Sequence, residues 1–345
     1  LFDVPDARKV HKTPVPRLGG LAFLPVILIS LCIITGVRYY MNEPVAPIWS
    51  SSLFMRYLFL VAGTTLLYLV GVADDLVGVS YRYKFVVQIL SASFLPLSGL
   101  WINDLGGLLG LNTIPAFIGM PLTVFLVVYI TNAINLIDGI DGLASGLTCI
   151  ALGLLIIVCA FVGQWTHALL ASATLGVVTT FYYYNVFSVS GRKLFMGDAG
   201  SLTLGYILSF LILHFWTRQE SWDPFELNLN MVTISTLLIP LLDVVRVFYS
   251  RAKDGRNPFL PDKNHIHHKL LRTGMRVRTV MVTLLLLSLF LVAANFILSF
   301  YINATFMLLF DLVFWCVLHI IINRAIVKHE KITGRKWYKT YLHII

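Results

Sequence analysis

Four short segments hold most of the residues able to do chemistry. The first is Gly71-Val72-Ala73-Asp74-Asp75-Leu76. Adjacent carboxylates suit a hard cation with oxygen ligands, Mg²⁺ above all. They end an apolar run, where a helix C-terminus is itself partly negative, so the pair is costly unless it serves a cation site. A solvated helix end is the structural alternative. The second segment runs from Asn135 through Asp138-Gly139-Ile140-Asp141-Gly142 to Gly146. On a helix, Asn135 and Asp138 would share a face at i, i+3, as would Asp138 and Asp141. The glycines argue instead for a turn that lets backbone approach a ligand closely. N-capping by Asp141 would explain one aspartate and leave Asn135 and Asp138 unexplained. The third segment is Phe195-Met196-Gly197-Asp198-Ala199-Gly200-Ser201, where Asp198 fits a cation ligand and a helix N-cap equally well. The fourth, Pro261-Asp262-Lys263-Asn264-His265-Ile266-His267-His268-Lys269, has three histidines close together. They resemble a zinc site, but cysteine is absent nearby and the spacing fits no common zinc pattern. Imidazoles beside Lys and Arg equally suit a diphosphate.

The elements that must position these segments are membrane helices. Of the 345 residues, 58% are apolar and only 12% charged, with a mean hydropathy of +0.82. A soluble globular protein carries about 25% charged residues. That balance excludes a soluble enzyme, a disordered chain and a secreted disulfide scaffold. Apolar runs near the length a bilayer core requires recur throughout. They predict spans over 19–37, 53–73, 83–100, 119–137, 142–162, 167–184, 199–217, 231–248, 279–300 and 305–323. The expected fold is all-α: one polytopic helical bundle over residues 1–345, with about ten spans. Leu1-Phe2-Asp3 reads as the exit of an earlier segment, and a preceding span would bring the number to about eleven. Cys32, Cys149, Cys159 and Cys316 all fall within spans and read as small core residues.

The formal charge of +9 is a topology signal rather than a nucleic-acid footprint, because the cations sit in short loops. All Lys and Arg except Arg38, Arg56, Lys84, Arg218 and Arg246 lie in one set of alternate loops and the C-terminal tail. By the positive-inside rule that side faces the cytoplasm. All four segments, with Arg8-Lys9-Val10-His11, fall on that side, so loops 74–82, 138–141, 185–198 and 249–278 together form the expected active site. Carboxylates for a divalent cation, with His, Lys and Arg for phosphate oxygens, point to phosphoryl transfer. The rival is a cation-coupled transporter using the same aspartates, although a transporter more often places its charges near the bilayer midplane. Asp243 and Arg246 read as a structural pair, and His167, His214 and His319 as packed or interfacial groups. Asp311 is buried in the last span without an evident purpose.

In this order, the motifs resemble the polyprenyl-phosphate N-acetylhexosamine-1-phosphate transferases over nearly the whole chain. The match begins at Asp3-Val4-Pro5 and runs through Arg8, Lys9, His11 and Pro14-Val15-Pro16-Arg17 to Gly19-Gly20. It continues through all four segments above. The His-Ile-His-His form looks like the WecA/TagO branch, which starts lipid-linked glycan synthesis. The resemblance implies transfer of a sugar-1-phosphate, GlcNAc-1-phosphate first among the candidates, from a UDP-N-acetylhexosamine to undecaprenyl phosphate with release of UMP. A different UDP-amino sugar is the alternative donor. It further implies Mg²⁺ dependence, with Mn²⁺ as an admissible substitute, and a multi-pass protein of the bacterial inner membrane whose active site faces the cytoplasm. The bilayer is the other partner; a homodimer is left open.

Carried over residue by residue, Asp74 and Asp75 match the paired aspartates, one orienting or deprotonating the lipid phosphate and the other assisting the metal. Asp198 matches a Mg²⁺ ligand. Asn135, Asp138 and Asp141 match the motif of nucleotide binding and catalysis, and His265, His267 and His268 the loop histidines that meet diphosphate or sugar. Lys84 and Gln88 sit where the family places a Lys and a Gln one turn apart near the nucleotide. Arg8, Lys9 and Lys193 complete the substrate-binding set. The chain departs from the pattern between Asn185 and Lys193, which is longer here and lacks a Pro-Ala pair, although Lys193 keeps its offset from Asp198.

Overall fold

A computed structural model describes residues 2–3, 15–41, 51–188, 193–217, 227–255 and 264–334. The helices among them are α1 (Phe23–Tyr40), α2 (Ser51–Val77), α3 (Tyr81–Leu97), α4 (Ala116–Ile137), α5 (Leu143–Phe161) and α6 (Trp165–Phe187). They continue with α7 (Gly197–Phe215), α8 (Leu229–Ser235), α9 (Leu238–Lys253), α10 (Ile266–Arg272), α11 (Val277–Leu298) and α12 (Ala304–Thr333). Among the described residues, sheet is confined to two small antiparallel pairs, Phe2–Asp3 with Val15–Pro16 and Asp104–Leu108 with Leu111–Thr113.

A helix occupies each of the ten expected segments, but not all of them meet the demands of a span. Seven are long and apolar enough to cross a bilayer, and α8 with α9 makes an eighth if counted together. The expected single span over 231–248 is bent by 73° between those two helices. The 17-residue α3 is too short and carries Arg82, Lys84 and Gln88, while α6 dilutes its apolar content with Thr, Tyr and Asn185.

The organising element is α7. Almost every residue from Ala199 to Phe215 is buried, including Ser201, Thr203 and Ser209, although its composition is only moderately apolar. A helix surrounded on all sides belongs at the centre of a bundle, and α2 and α4 flank it. Gly71 shows how close the packing is: a Cβ there would lie 2.5 Å from Ala199 Cα. Only glycine lets α2 approach the start of α7 this closely. Asp311, without a purpose in the sequence, accepts a hydrogen bond from Asn295 at 2.8 Å and so ties α12 to α11. His167 and His214 stack in the interior with ring centroids 3.7 Å apart.

Candidate active site

The three acidic segments meet at one end of the bundle because helix ends carry them there. Asp74 and Asp75 lie in the last turn of α2, Asn135 in the last turn of α4 with Asp138 just beyond it, and Asp198 in the first turn of α7. Lys84, in the first turn of α3, links two of them: its Nζ donates to Asp198 Oδ2 at 2.6 Å and to Asp74 Oδ2 at 3.1 Å. The other Asp74 oxygen accepts the Val79 N–H at 2.6 Å. Asn135 Nδ2 donates to Asp198 Oδ1 at 3.1 Å and to Ser201 Oγ at 2.8 Å.

Asp75 is placed differently from its neighbour. Its two oxygens accept the backbone N–H groups of Asp198 and Ala199, each at 3.0 Å. These are among the amides that the start of a helix leaves without an internal partner. Asp75 therefore caps α7 from another helix, and the capping role that the sequence allowed for Asp198 is filled from α2 instead. Arg17 Nη1 lies 4.0 Å from Asp75 Oδ1. The segment leading into α1 is held there by Gly19 and Gly20 N–H donating to Phe195 and Met196 carbonyls at 3.0 and 2.9 Å.

Asp138 reaches solvent at the mouth of the site. Close packing around its carboxyl, and then Asp198, Asp141 and Asp75, push it up to about 7, with Arg17 opposing. Because solvent reaches it, like-charge crowding is the more durable of those causes. Asp141 does not cap α5; the N-cap is Gly142, and Asp141 pairs with Lys193 instead. Asn185, whose setting departs from the family pattern, is a staple between two loops. It accepts the Gly142 N–H at 2.6 Å and donates to the Leu194 carbonyl at 2.8 Å.

The histidine segment closes over this floor. His265 Nδ1 lies 2.8 Å from Asp243 Oδ2, and the Ile266 N–H donates to Asp243 Oδ1 at 2.9 Å. Arg246 donates to the same Asp243 oxygen at 2.8 Å and also bonds the Asn264 carbonyl. The expected Asp243–Arg246 pair thus exists, and it also anchors the loop, a role that spacing along α9 could not disclose. His267 packs its ring on the acidic turn: a Cβ on Gly139 would lie 2.2 Å from its Nε2. Burial, then His268 and His265, hold His267 well below the ordinary histidine range. His268 is packed beside it, with ring centroids 4.2 Å apart. Lys269 donates to His319 Nδ1 at 3.3 Å, and burial with Arg246 and Arg272 lowers it to about 8.

Lys84, Asn135, Asp74, Asp75 and Asp198 are thus joined by hydrogen bonds, with Asp138 beside them. His267 lies against Gly139, while Asp141 and Lys193 form a neighbouring pair. Gln88 is buried one turn inward, paired with Asn132 rather than open to the site. Arg8 and Lys9 lie outside the described residues. Among the described residues, no three His, Cys, Asp or Glu side chains form a ready-made metal cage.

At the level of sequence, the chain is similar to known proteins. Residues 57–215 match the model of glycosyl transferase family 4. The undecaprenyl-phosphate alpha-N-acetylglucosaminyl 1-phosphate transferase of Escherichia coli K12 is 30% identical over 329 residues, covering 92% of this chain and 83% of that protein. Its counterpart in Yersinia pestis is 31% identical over 83% of this chain and 73% of that protein. The probable undecaprenyl-phosphate N-acetylglucosaminyl 1-phosphate transferase of Bacillus subtilis 168 is 32% identical over 80% of this chain and 71% of that protein.

Proposed function

Because this chain belongs to glycosyl transferase family 4, alongside undecaprenyl-phosphate N-acetylglucosaminyl 1-phosphate transferases, we propose that it transfers GlcNAc-1-phosphate from a UDP-sugar to undecaprenyl phosphate and releases UMP. The reaction would be an early membrane step of cell-envelope glycan synthesis. Its site would face the cytoplasm from the bacterial inner membrane, as the loop charges suggest. The observation that carries the reading is the convergence of Asp74, Asp198, Asn135 and Lys84 at helix ends. Charges at the end of the bundle suit a reaction at the membrane surface better than a midplane transport site.

The donor set fits Mg²⁺. That ion commonly takes one or two carboxylates and completes its shell with substrate phosphates and water, so a full protein cage is not required. Asp198 and Asp74 would hold it, with the Asn135 amide beside them; Lys84, already between the two carboxylates, marks where positive charge is favoured. When bound, the ion would neutralise diphosphate charge and the charge developing on the leaving UMP. Lys84 and Lys193 would contribute to the same end from the protein. The lipid phosphate would attack the β-phosphorus in line. A phosphate monoester is already mostly ionised near neutral pH, with its second pKa about 6, so an aspartate need only orient it. Asp138, at the open mouth, stands best for that role, and Asp75 acts as a positioning residue through α7. The Asp243–His265 anchor holds the histidines over the acidic turn, where they would meet diphosphate or sugar.

The test is UMP release by the full-length protein supplied with undecaprenyl phosphate, Mg²⁺ and a panel of UDP-sugars. Release with UDP-GlcNAc that vanishes on Asp198→Ala is the expected result. Lipid-independent substrate flux into sealed vesicles, with no UMP from any donor, would overturn it.

A further inference from the structure

The last helix carries a feature that the transfer reaction does not use. α12 has 30 residues, about 45 Å at 1.5 Å per residue, whereas the hydrocarbon core is about 30 Å thick. It therefore extends past the core at the end where α10 docks on it through Arg272 and Glu330, 3.5 Å apart. That is the same end as the acidic site, since α10 carries the histidines.

One face of α12 changes character along its length. Toward its start, Phe306, Phe310, Val313 and Val317 form an outward stripe that is almost wholly apolar. Farther along, Arg324, Lys328 and Lys331 stand on the outer surface with Val327 and Ile332. The offsets 306, 310, 313, 317, 324, 328 and 331 keep all of these positions on one side of a helix. Val327 and Ile332 are 51% and 74% exposed, so the cations stand on an apolar surface rather than in a purely aqueous patch. The nearby acid, Glu330, is turned inward to Arg272. Among the described residues, Arg324, Lys328 and Lys331 make no ion pair or hydrogen bond.

A cationic patch at the end of an exposed apolar stripe matches the polarity of an amphiphile with an anionic head. We propose that this face of α12 is a binding site for an anionic phospholipid, with its head group on Arg324, Lys328 and Lys331 and an acyl chain along Phe310, Val313 and Val317. The site is separate from the reacting centre. Placing it in the cytoplasmic leaflet rests on the orientation given above; the binding itself does not.

The full chain is reconstituted in nanodiscs of equal parts dioleoyl phosphatidylglycerol and dioleoyl phosphatidylcholine, released into the gas phase, and the retained lipids are counted. The wild type should retain phosphatidylglycerol preferentially. Each cation at an anionic surface contributes roughly fivefold, so R324Q/K328Q/K331Q should lose on the order of 100-fold in that preference. The single variants Lys328→Gln and Lys331→Gln, with roughly fivefold losses each, give the same reading should the triple variant fail to fold. Equal retention of the two lipids by the wild type overturns the proposal. So does a preference that survives in the variants, or one lost equally in R276Q/R278Q, whose exposed cations lie at the start of α11. UMP release, measured on the same samples, reports separately on the transfer reaction.

Discussion

The role of Asp75 can be separated from that of a reacting carboxylate by removing its side chain. The Asp75 side chain is 3% exposed and accepts two α7 amides at 3.0 Å each. A hydrogen bond to a charged group contributes ~1.5–3 kcal/mol, and a helix cap as a whole ~1 kcal/mol, up to ~2. The two bonds form one cap in a buried setting, so Asp75→Ala should cost about 3 kcal/mol in the local stability of the first turn of α7. At tenfold per 1.4 kcal/mol, that is on the order of 100-fold in the opening equilibrium of the turn. Hydrogen exchange followed by mass spectrometry on peptides covering 196–205 reads this directly, because the Asp198 and Ala199 amides are the two that lose their acceptor. Asp75→Asn keeps one acceptor but turns an NH₂ toward the second amide, so its exchange should fall between wild type and Ala. Turnover should decline in the same order, since Asp198 is held through this turn. Wild-type exchange with turnover abolished would refute the capping argument and return Asp75 to the reacting groups.

Lys84 and a divalent cation compete for Asp74 and Asp198. Lys84→Gln should therefore tighten Mn²⁺ binding by roughly fivefold, the scale of one partly exposed pair, while lowering turnover; weaker Mn²⁺ binding in a titration followed by electron paramagnetic resonance would contradict this. Gly139→Ala places a methyl against the His267 ring and should reduce kcat by at least roughly tenfold, the equivalent of about 1.4 kcal/mol, with little loss of thermal stability; wild-type kcat would show that the histidine loop does not depend on that contact. A carboxyl pushed up to about 7, as at Asp138, favours the fold most below the ordinary carboxylate range and loses that contribution as pH rises through about 7. The melting temperature in detergent should fall from about pH 5 to about pH 8, and Asp138→Asn should flatten the fall; an equal fall in the variant would locate the effect elsewhere. Chelation by EDTA should abolish UMP release and added Mg²⁺ or Mn²⁺ restore it, whereas release that persists in EDTA would exclude the divalent-cation reading.

Much of the fold was legible because apolar length and loop charge are one-dimensional signals. Each expected segment is helical, and the acidic segments do share one end of the bundle. The bend between α8 and α9 was less legible, since an apolar run of sufficient length looks the same whether straight or broken. The site was legible in residue type but not in partnership. Asp74 and Asp75 are equivalent in sequence, yet one faces Lys84 and the other faces α7, a distinction that depends on which side of α2 packs against a helix more than a hundred residues later. Asp243 likewise showed its partner at i+3, whereas its contacts to His265 and Ile266 cross a loop. Asp141 and Asp198 both satisfied the composition of an N-cap, but neither caps its helix.

The electrostatics of helix ends account for why these carboxylates can coexist. Asp74 and Asp75 sit at the C-terminus of α2, where the helix dipole disfavours negative charge. The fold answers this by bringing the N-terminus of α7, the favourable pole, against Asp75 through the close approach at Gly71. Asp74 is offset by the Val79 amide and shares Lys84 with Asp198. Lys193 matches Asp141. Asp198 has the same complement as Asp74, the shared lysine and one amide, so Asp138, crowded by like charges and open to solvent, is the carboxylate least compensated by the protein. Positive charge arriving with a nucleotide diphosphate would complete the balance there, and the lipid phosphate would meet it from the membrane side. The chain thus neutralises the carboxylates that hold its helices together and leaves its unspent negative charge where a cation and two phosphorylated substrates would converge.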